Sequence, residues 1–329
     1  MSNARNESAP HGERTLEIAL PNRRLGSFRR FWRQIDLQVL VLPGLLAMVI
    51  FQFLPLFGLT IAFKDYQIIY GLEGFFSSDW VGLKHFADFF TDPKSGQVIL
   101  NTVAMSFIRI IVTFPIIIAF ALFLNEITNV TFKRTVQTVS YLPHFISWVI
   151  FGGLLQRILS PDSGIVNELL MALRIVDEPV FFIGEARYFW LLAVLTSLAK
   201  EIGWSAILYL AAIAGIDTQL YEAATVDGAG RFRKMWYITL PGIAGTIVIL
   251  LLLAIANFIR ESFDQIWVLQ NNLNVSRSEI IGTYVYKVGL AQMRFSYAAA
   301  VGFFQSVAAV TMLMVANWFS NKVVGKGLF

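Results

Sequence analysis

Six stretches of this chain are apolar over lengths suited to a bilayer: Leu37–Phe63, Val98–Leu124, Val136–Leu159, Tyr188–Ala214, Leu240–Ile259 and Ala298–Phe319. Crossing the hydrocarbon layer takes roughly 20 apolar residues in a helix, and each block supplies them. A soluble chain interleaves its apolar residues with charge; here 56% of residues are hydrophobic and they come in blocks. Lipid offers the backbone no hydrogen-bond partners, so such blocks must be helices. The sequence therefore predicts an all-α membrane protein with six transmembrane helices in one domain over residues 37–329. A polar tail, residues 1–36, precedes it. Pro43 and Pro55 in the first block and Pro143 in the third predict kinks.

The tail holds seven arginines and no apolar h-region, so no cleavable signal peptide is expected and the first span serves for insertion. With the N-terminus inside, the inner segments carry 14 Lys/Arg and the outer ones nine over a longer length. The first two outer loops are also acidic, with Asp65, Glu73, Asp79, Asp88 and Asp92, then Asp162, Glu168, Asp177, Glu178 and Glu185. Positive residues stay inside, which places both termini in the cytoplasm. Membrane topology accounts for the net charge of +4, and no nucleic-acid partner is called for. The chain has no cysteine, which excludes disulfides, thiol catalysis and thiolate metal sites.

Between the fourth and fifth spans runs the polar loop 215–241, containing YEAATVDGAGRFRKMWYITLP. Asp217 or Thr218 can cap a helix start. Leu220–Val226 then propagates the helix, and Asp227-Gly228 ends it, glycine taking the left-handed C′ position. A second short helix is expected over Arg231–Ile238, with Phe232, Met235 and Trp236 as its apolar stripe and Arg231, Arg233 and Lys234 towards water. Pro241 can open the fifth span. By composition this is either plain interfacial structure or a docking element. Small Ala223 and Ala224 beside Glu222 permit close approach by another protein.

Glu222-Ala223-Ala224, Gly228 four residues on, nine residues, then Ile238-x-Leu240-Pro241 resembles the EAA signature of permease subunits of ATP-binding-cassette importers. The upstream WSAILYLAAIAGIDTQLYEAATVDGA resembles the carbohydrate-uptake branch, the family of the maltose-transporter permeases. FKDYQIIYGLEGFFSSDWVGLKHF and KEIGWSAILYL are similar to permeases for large oligosaccharides and polysaccharides, those of bacterial alginate importers among them. The resemblance covers most of 37–329 and implies a type I importer transmembrane domain in a bacterial cytoplasmic membrane. It also implies three partners: an ATPase dimer, a second six-span permease and an extracytoplasmic solute-binding protein. The loop becomes a coupling helix, with Glu222 in a polar contact to the ATPase, Ala223 and Ala224 in its cleft, and Asp227-Gly228 setting the turn.

No G-x-x-x-x-G-K-[ST] phosphate loop is present, so ATP and Mg belong to the partner ATPase and no cofactor is expected on this chain. His11, His85 and His144 are scattered, and neither a metal site nor a catalytic constellation appears. This chain is expected to perform no covalent chemistry.

Charges within spans are costly unless they face a partner or a wet cavity. Lys200-Glu201 lies twelve residues into the fourth span, near mid-depth. Their directions differ by about 100°, so the pair is not expected simply to neutralise itself. Each either faces the translocation path or pairs structurally with a neighbouring span. Arg109 in the second span either meets an anionic substrate or is a buried structural partner. Asn257 is a path candidate, since an amide exchanges hydrogen bonds with sugar hydroxyls, while Arg260 reads as a snorkelling residue at the span end. Trp148, His144 and Trp204 offer a sugar-stacking surface or ordinary packing. Phe75, Phe76, Trp80, Phe86, Phe89 and Phe90 enrich the first outer loop, where Gly82–Phe90 predicts a short interfacial helix. The rival reading is an ion-coupled secondary transporter that uses Lys200 and Glu201; a third is a scaffold that docks a partner without transport.

Overall fold

A computed structural model describes residues 35–257 and 263–324. The expected snorkelling Arg260, its neighbour Glu261, most of the Arg-rich tail and the last five residues lie outside that range. The described chain is helical, and its one extended pairing is an isolated bridge between Lys64 and Trp80.

Two compact units divide it, Met1–Gly58 and Leu59–Phe329. In the first, helix α1 (Ile35–Met48) contains Pro43 and passes into a π turn, Val49–Phe53. The turn ends with the Leu54 amide donating to the Val49 carbonyl, ahead of Pro55 and a 3₁₀ segment. The ring of Pro55 blocks the carbonyl four residues back, so the chain widens by one residue there.

In the second unit, α2 (Lys84–Thr91) leads to the long helix α3 (Ser95–Asn125). The third span is α4 (Val130–Tyr141), a 3₁₀ turn at Leu142–Phe145, and α5 (Trp148–Ile158). Its two halves meet at 107°. Helix α6 (Phe189–Ala214) is unbroken, and α7 (Thr218–Val226) follows it. Helix α8 (Arg231–Lys234) continues through a π turn and the Leu240–Gly242 turn, then bends by 63° into α9 (Ala244–Ala256). Short helices α10 (Phe263–Leu269) and α11 (Ile281–Tyr286) precede α12 (Phe295–Val324). Four helices are long and apolar enough to span, or six spans exist with each bent pair counted as one.

The bends have local causes. Pro143 cannot continue α4, and Ser147 restarts the chain by accepting from the Ile150 amide. Pro241 stands in the first turn of the short Leu240–Gly242 helix, where proline is tolerated, and the chain bends by 63° between that turn and α9. The Gly82–Phe90 expectation is met by α2, yet its face turns inward: Phe89 is 1% exposed and packs on Phe304 and Tyr297 of α12.

Three apolar clusters hold the second unit. Phe89, Val98, Ile281, Tyr284 and Val301 form one; Met105, Phe189, Ala193, Ile266 and Leu269 a second; Ala121, Ala206, Tyr209, Ile213 and Ile243 a third. Buried amide side chains tie down the non-helical backbone between them. Asn101 donates to the carbonyls of Ser276 and Glu279, both at 3.1 Å. Gln265 donates to the Ala193 carbonyl at 2.6 Å, and Asn274 to those of Ile183 and Leu269 at 2.8 and 2.9 Å. Buried backbone outside helices is tolerable only with partners of this kind.

Candidate functional site

At the 107° bend α6 presents three residues: Lys200 and Trp204, four apart on one face, and Glu201, about 100° round from Lys200. All three reach His144. The Lys200 ammonium donates to the His144 carbonyl at 2.7 Å, and Glu201 Oε2 accepts from His144 Nδ1 at 2.6 Å. The Trp204 indole stacks on the imidazole, with centroids 4.4 Å apart and planes 2° from parallel. Trp148 closes the group, its ring 5.4 Å beneath the Lys200 ammonium.

Lys200 is 4% exposed, and its ammonium is 3.5 Å from Glu201 Oε1. This corrects the expectation that the two do not neutralise each other. The backbone directions diverge by about 100°, but the side chains are long enough to converge on one residue of the next span. The close approach depends on Gly203, where a Cβ would lie 2.3 Å from the Ser140 carbonyl oxygen.

A second group surrounds a cavity of about 460 Å³ between α3, α6 and α9. Arg109, Trp204 and Asn257 line it. Arg109 donates to the Ser197 hydroxyl, and Asn257 donates to the Leu253 carbonyl at 3.0 Å. Sequence reasoning missed Ser106, Thr113, Ser205 and Tyr209 on the same walls. A signal was available: Ser106, Arg109 and Thr113 recur at i, i+3 and i+7, a polar stripe along one face of α3. The path candidates thus divide in two. Arg109, Trp204 and Asn257 meet at the cavity, His144, Trp148, Lys200 and Glu201 meet behind it, and Trp204 belongs to both.

The polar loop folds much as its sequence dictates. Asp217 caps α7 by accepting from the Gln219 amide at 2.9 Å. The far end is a Schellman motif: Gly228 has φ +75°, its amide donates to the Thr225 carbonyl at 3.1 Å, and the Ala229 amide donates to the Ala224 carbonyl at 2.8 Å. No residue of α7 is buried, and Glu222, Ala223, Asp227 and Gly228 are exposed while Ala224 is half-buried. Two bonds fix α7 on the following segment: Lys234 to the Thr225 hydroxyl at 2.6 Å, and Tyr221 to the Thr239 hydroxyl at 2.9 Å. Arg231 and Arg233 are exposed as expected, and Lys234 is half-buried, its ammonium engaged at the surface by Thr225. Of the expected apolar stripe only Met235 is buried; Phe232 and Trp236 are exposed.

Comparison with known proteins agrees with this architecture. Residues 97–324 match the family model described as binding-protein-dependent transport system inner membrane component. Protein LplB of Bacillus subtilis (strain 168) is 42% identical over 293 residues, covering 89% of this chain and 91% of that protein. The polygalacturonan/rhamnogalacturonan transport system permease protein YteP of the same organism is 42% identical over 297 residues, covering 90% and 91%. Among solved structures, a bacterial ABC transporter involved in the import of the acidic polysaccharide alginate superposes with a TM-score of 0.82 at 34% identity, covering 90% of this chain and 98% of that one. A bacterial alginate ABC transporter in complex with an alginate pentasaccharide-bound periplasmic protein gives 0.83 at 33%, covering 92% and 99%. With its bent spans and the exposed helix between the fourth and fifth, this chain belongs to the family of binding-protein-dependent transport system inner membrane components.

Proposed function

We propose that this chain is one of two six-span permease subunits of an ATP-driven importer of acidic oligo- or polysaccharides, lying in a bacterial cytoplasmic membrane with both termini inside. The observation that carries the reading is the convergence of Arg109, Trp204 and Asn257 on one cavity within three spans. An indole face covers the C–H surface of a sugar ring, an amide exchanges hydrogen bonds with its hydroxyls, and a guanidinium matches a carboxylate. Relatives named for polygalacturonan and alginate, both uronate polymers, support the acidic class. A solute-binding protein delivers the saccharide. A partner ATPase, which carries ATP and Mg, receives α7: Ala223 and Ala224 enter its cleft, Glu222 makes a polar contact, and Asp227-Gly228 sets the turn. Closure of the ATPase pair then moves the spans.

The test is uptake by vesicles holding the assembled importer, comparing an oligouronate with a neutral oligosaccharide of equal length. One charge-assisted hydrogen bond is worth roughly 1.5–3 kcal/mol, so Arg109→Met should reduce oligouronate uptake roughly 10- to 100-fold. Any neutral-sugar uptake should fall far less. An unchanged rate for the oligouronate, or equal losses for both sugars, counts against the reading.

A further inference from the structure

The cavity reading gives Trp204 a role but leaves His144, Lys200 and Glu201 without one. None of these three lines the cavity, and Lys200 is an ionisable group 4% exposed near mid-span. Such a charge is costly in a membrane protein and is retained where it does something. Its arrangement is specific. Two consecutive residues of α6 grip one residue of the third span, Lys200 at its backbone carbonyl at 2.7 Å and Glu201 at its ring nitrogen at 2.6 Å. With the backbone held and Nδ1 anchored, the imidazole has one orientation left. In that orientation it lies flat on Trp204, 4.4 Å away and 2° from parallel. Phe145 steadies the same pair, meeting the indole edge-on at 5.6 Å and the imidazole edge-on at 5.4 Å.

The charges balance within the group. The Lys200 ammonium and the Glu201 carboxylate lie 3.5 Å apart, so each buried charge has its opposite beside it. The bend supplies the rest: His144 stands in the 3₁₀ turn after α4, where a carbonyl is not committed to a continuing helix. A straight third span would keep that carbonyl in its own ladder.

We propose that His144 is a positioning residue for transport, held by Lys200 and Glu201 so that its ring fixes the Trp204 indole as a wall of the saccharide cavity. The inference rests on the cavity reading and deepens it. Trp204 is 43% exposed and is a mobile side chain without its backing; fixed, it meets a sugar ring with no ordering cost at the moment of binding. The relay also ties the cavity wall to the bend, so a movement of α4 against α6 tilts the indole.

The test is a double-mutant cycle in vesicles containing the whole importer, with initial uptake of a labelled alginate pentasaccharide and ATP hydrolysis measured together. An aromatic stacking contact corresponds to roughly a two- to tenfold effect, so His144→Ala and Glu201→Gln should each lower uptake by about that factor while hydrolysis persists. In a Trp204→Leu background neither should lower it further, because residues that act through one group are not additive. Losses that multiply in the double variant, or full uptake by His144→Ala, overturn the relay and leave the cavity standing. Full uptake by Trp204→Leu alone overturns both. Should His144→Ala not assemble, His144→Gln keeps a donor for Glu201 while losing the ring, and the same cycle on that variant decides.

Discussion

Single atoms set two features of this protein. At Gly203 the α6 backbone comes so near α4 that a Cβ would meet the Ser140 carbonyl oxygen at 2.3 Å and its carbon at 2.4 Å. Backbone cannot swing aside as a flexible side chain can. Gly203→Ala is therefore expected to cost roughly 1–3 kcal/mol, the usual penalty for overpacking, and to lower the thermal midpoint in detergent. Gly153, in α5 with nothing within 4 Å of its built Cβ, provides the comparison. Gly153→Ala should be neutral or stabilise by up to roughly 1 kcal/mol through lost unfolded-state freedom. Equal midpoints for the two variants would show that the α4–α6 contact yields. Asp92 is the second feature. Its carboxylate accepts from the Lys94 amide at 2.8 Å and from the Tyr284 hydroxyl at 2.9 Å. The Lys94 amide is the largest influence holding its carboxyl below the usual carboxylate range; partial burial opposes it, and Tyr284, Lys94 and Arg294 assist. A depressed pKa means that the ionised form stabilises the fold. That contribution is complete above the unfolded value of 3.8 and disappears as pH falls through the lower folded value. Asp92→Asn should thus be less stable at neutral pH, by about 1 kcal/mol, with the gap to wild type closing below pH 4. A gap that stays constant into acid would exclude Asp92 as the titrating group.

At the scale of elements, the third span decides most. Its break is stable because its loose ends have partners: Ser147 caps α5, and Lys200 serves the His144 carbonyl. Lys200→Met removes that donor while keeping the stem's volume. It should destabilise the chain by roughly 1–3 kcal/mol, the cost of one unsatisfied buried acceptor, and speed amide exchange at Leu142–Phe145 more than in α12. Exchange that rises equally everywhere would mean that Lys200 acts on the whole fold and not on the bend. How much of this is legible in the sequence follows from the range of each interaction. Helical spans, the Pro143 break and the Gly228 end of α7 follow from apolar length and local chemistry within a few residues. Asn101, Gln265 and Asn274 do not, because their partners are backbone carbonyls; for Asn101 these lie 175 and 178 residues away. Their positions carry no sequence pattern. Lys200 and Glu201 fall between. Their depth is readable, but a rule about backbone direction says nothing of where four-carbon and two-carbon stems end, and that convergence needed the position of His144. The cavity was half legible, since Arg109, Trp204 and Asn257 are conspicuous in their spans while Thr113 and Tyr209 pass as ordinary helix residues.

For the whole molecule the question is what drives transport. A mid-membrane Lys–Glu–His group also suits an ion-coupled carrier, in which those residues exchange a proton or sodium. The geometry favours another use. Lys200 is committed to a backbone carbonyl, Glu201 to His144, and the imidazole to an indole, so the group is occupied in holding two spans together. Meanwhile α7 presents Glu222 and Ala223 outward on a helix capped at both ends and pinned by Tyr221 and Lys234. A rigid, exposed helix joined at Thr239 to the bent fifth span can pass a push from a docked protein to α9, one wall of the cavity. The prediction is that saccharide uptake by the assembled importer follows ATP inside the vesicle and is indifferent to collapse of proton and sodium gradients. Ala224→Trp then distinguishes the push from mere docking. Ala224 is half-buried at the groove shared with Arg233 and Tyr237, so an indole there obstructs the surface offered to a partner. Uptake should fall at least roughly tenfold, as at a central interface contact, and the co-purifying ATPase should be lost or its hydrolysis uncoupled from transport. Because α7 has no buried residue, the chain's own thermal midpoint should stay unchanged. Uptake that collapses with the ion gradients, or that survives in Ala224→Trp with full coupling, would return the role of engine to the charges at mid-span.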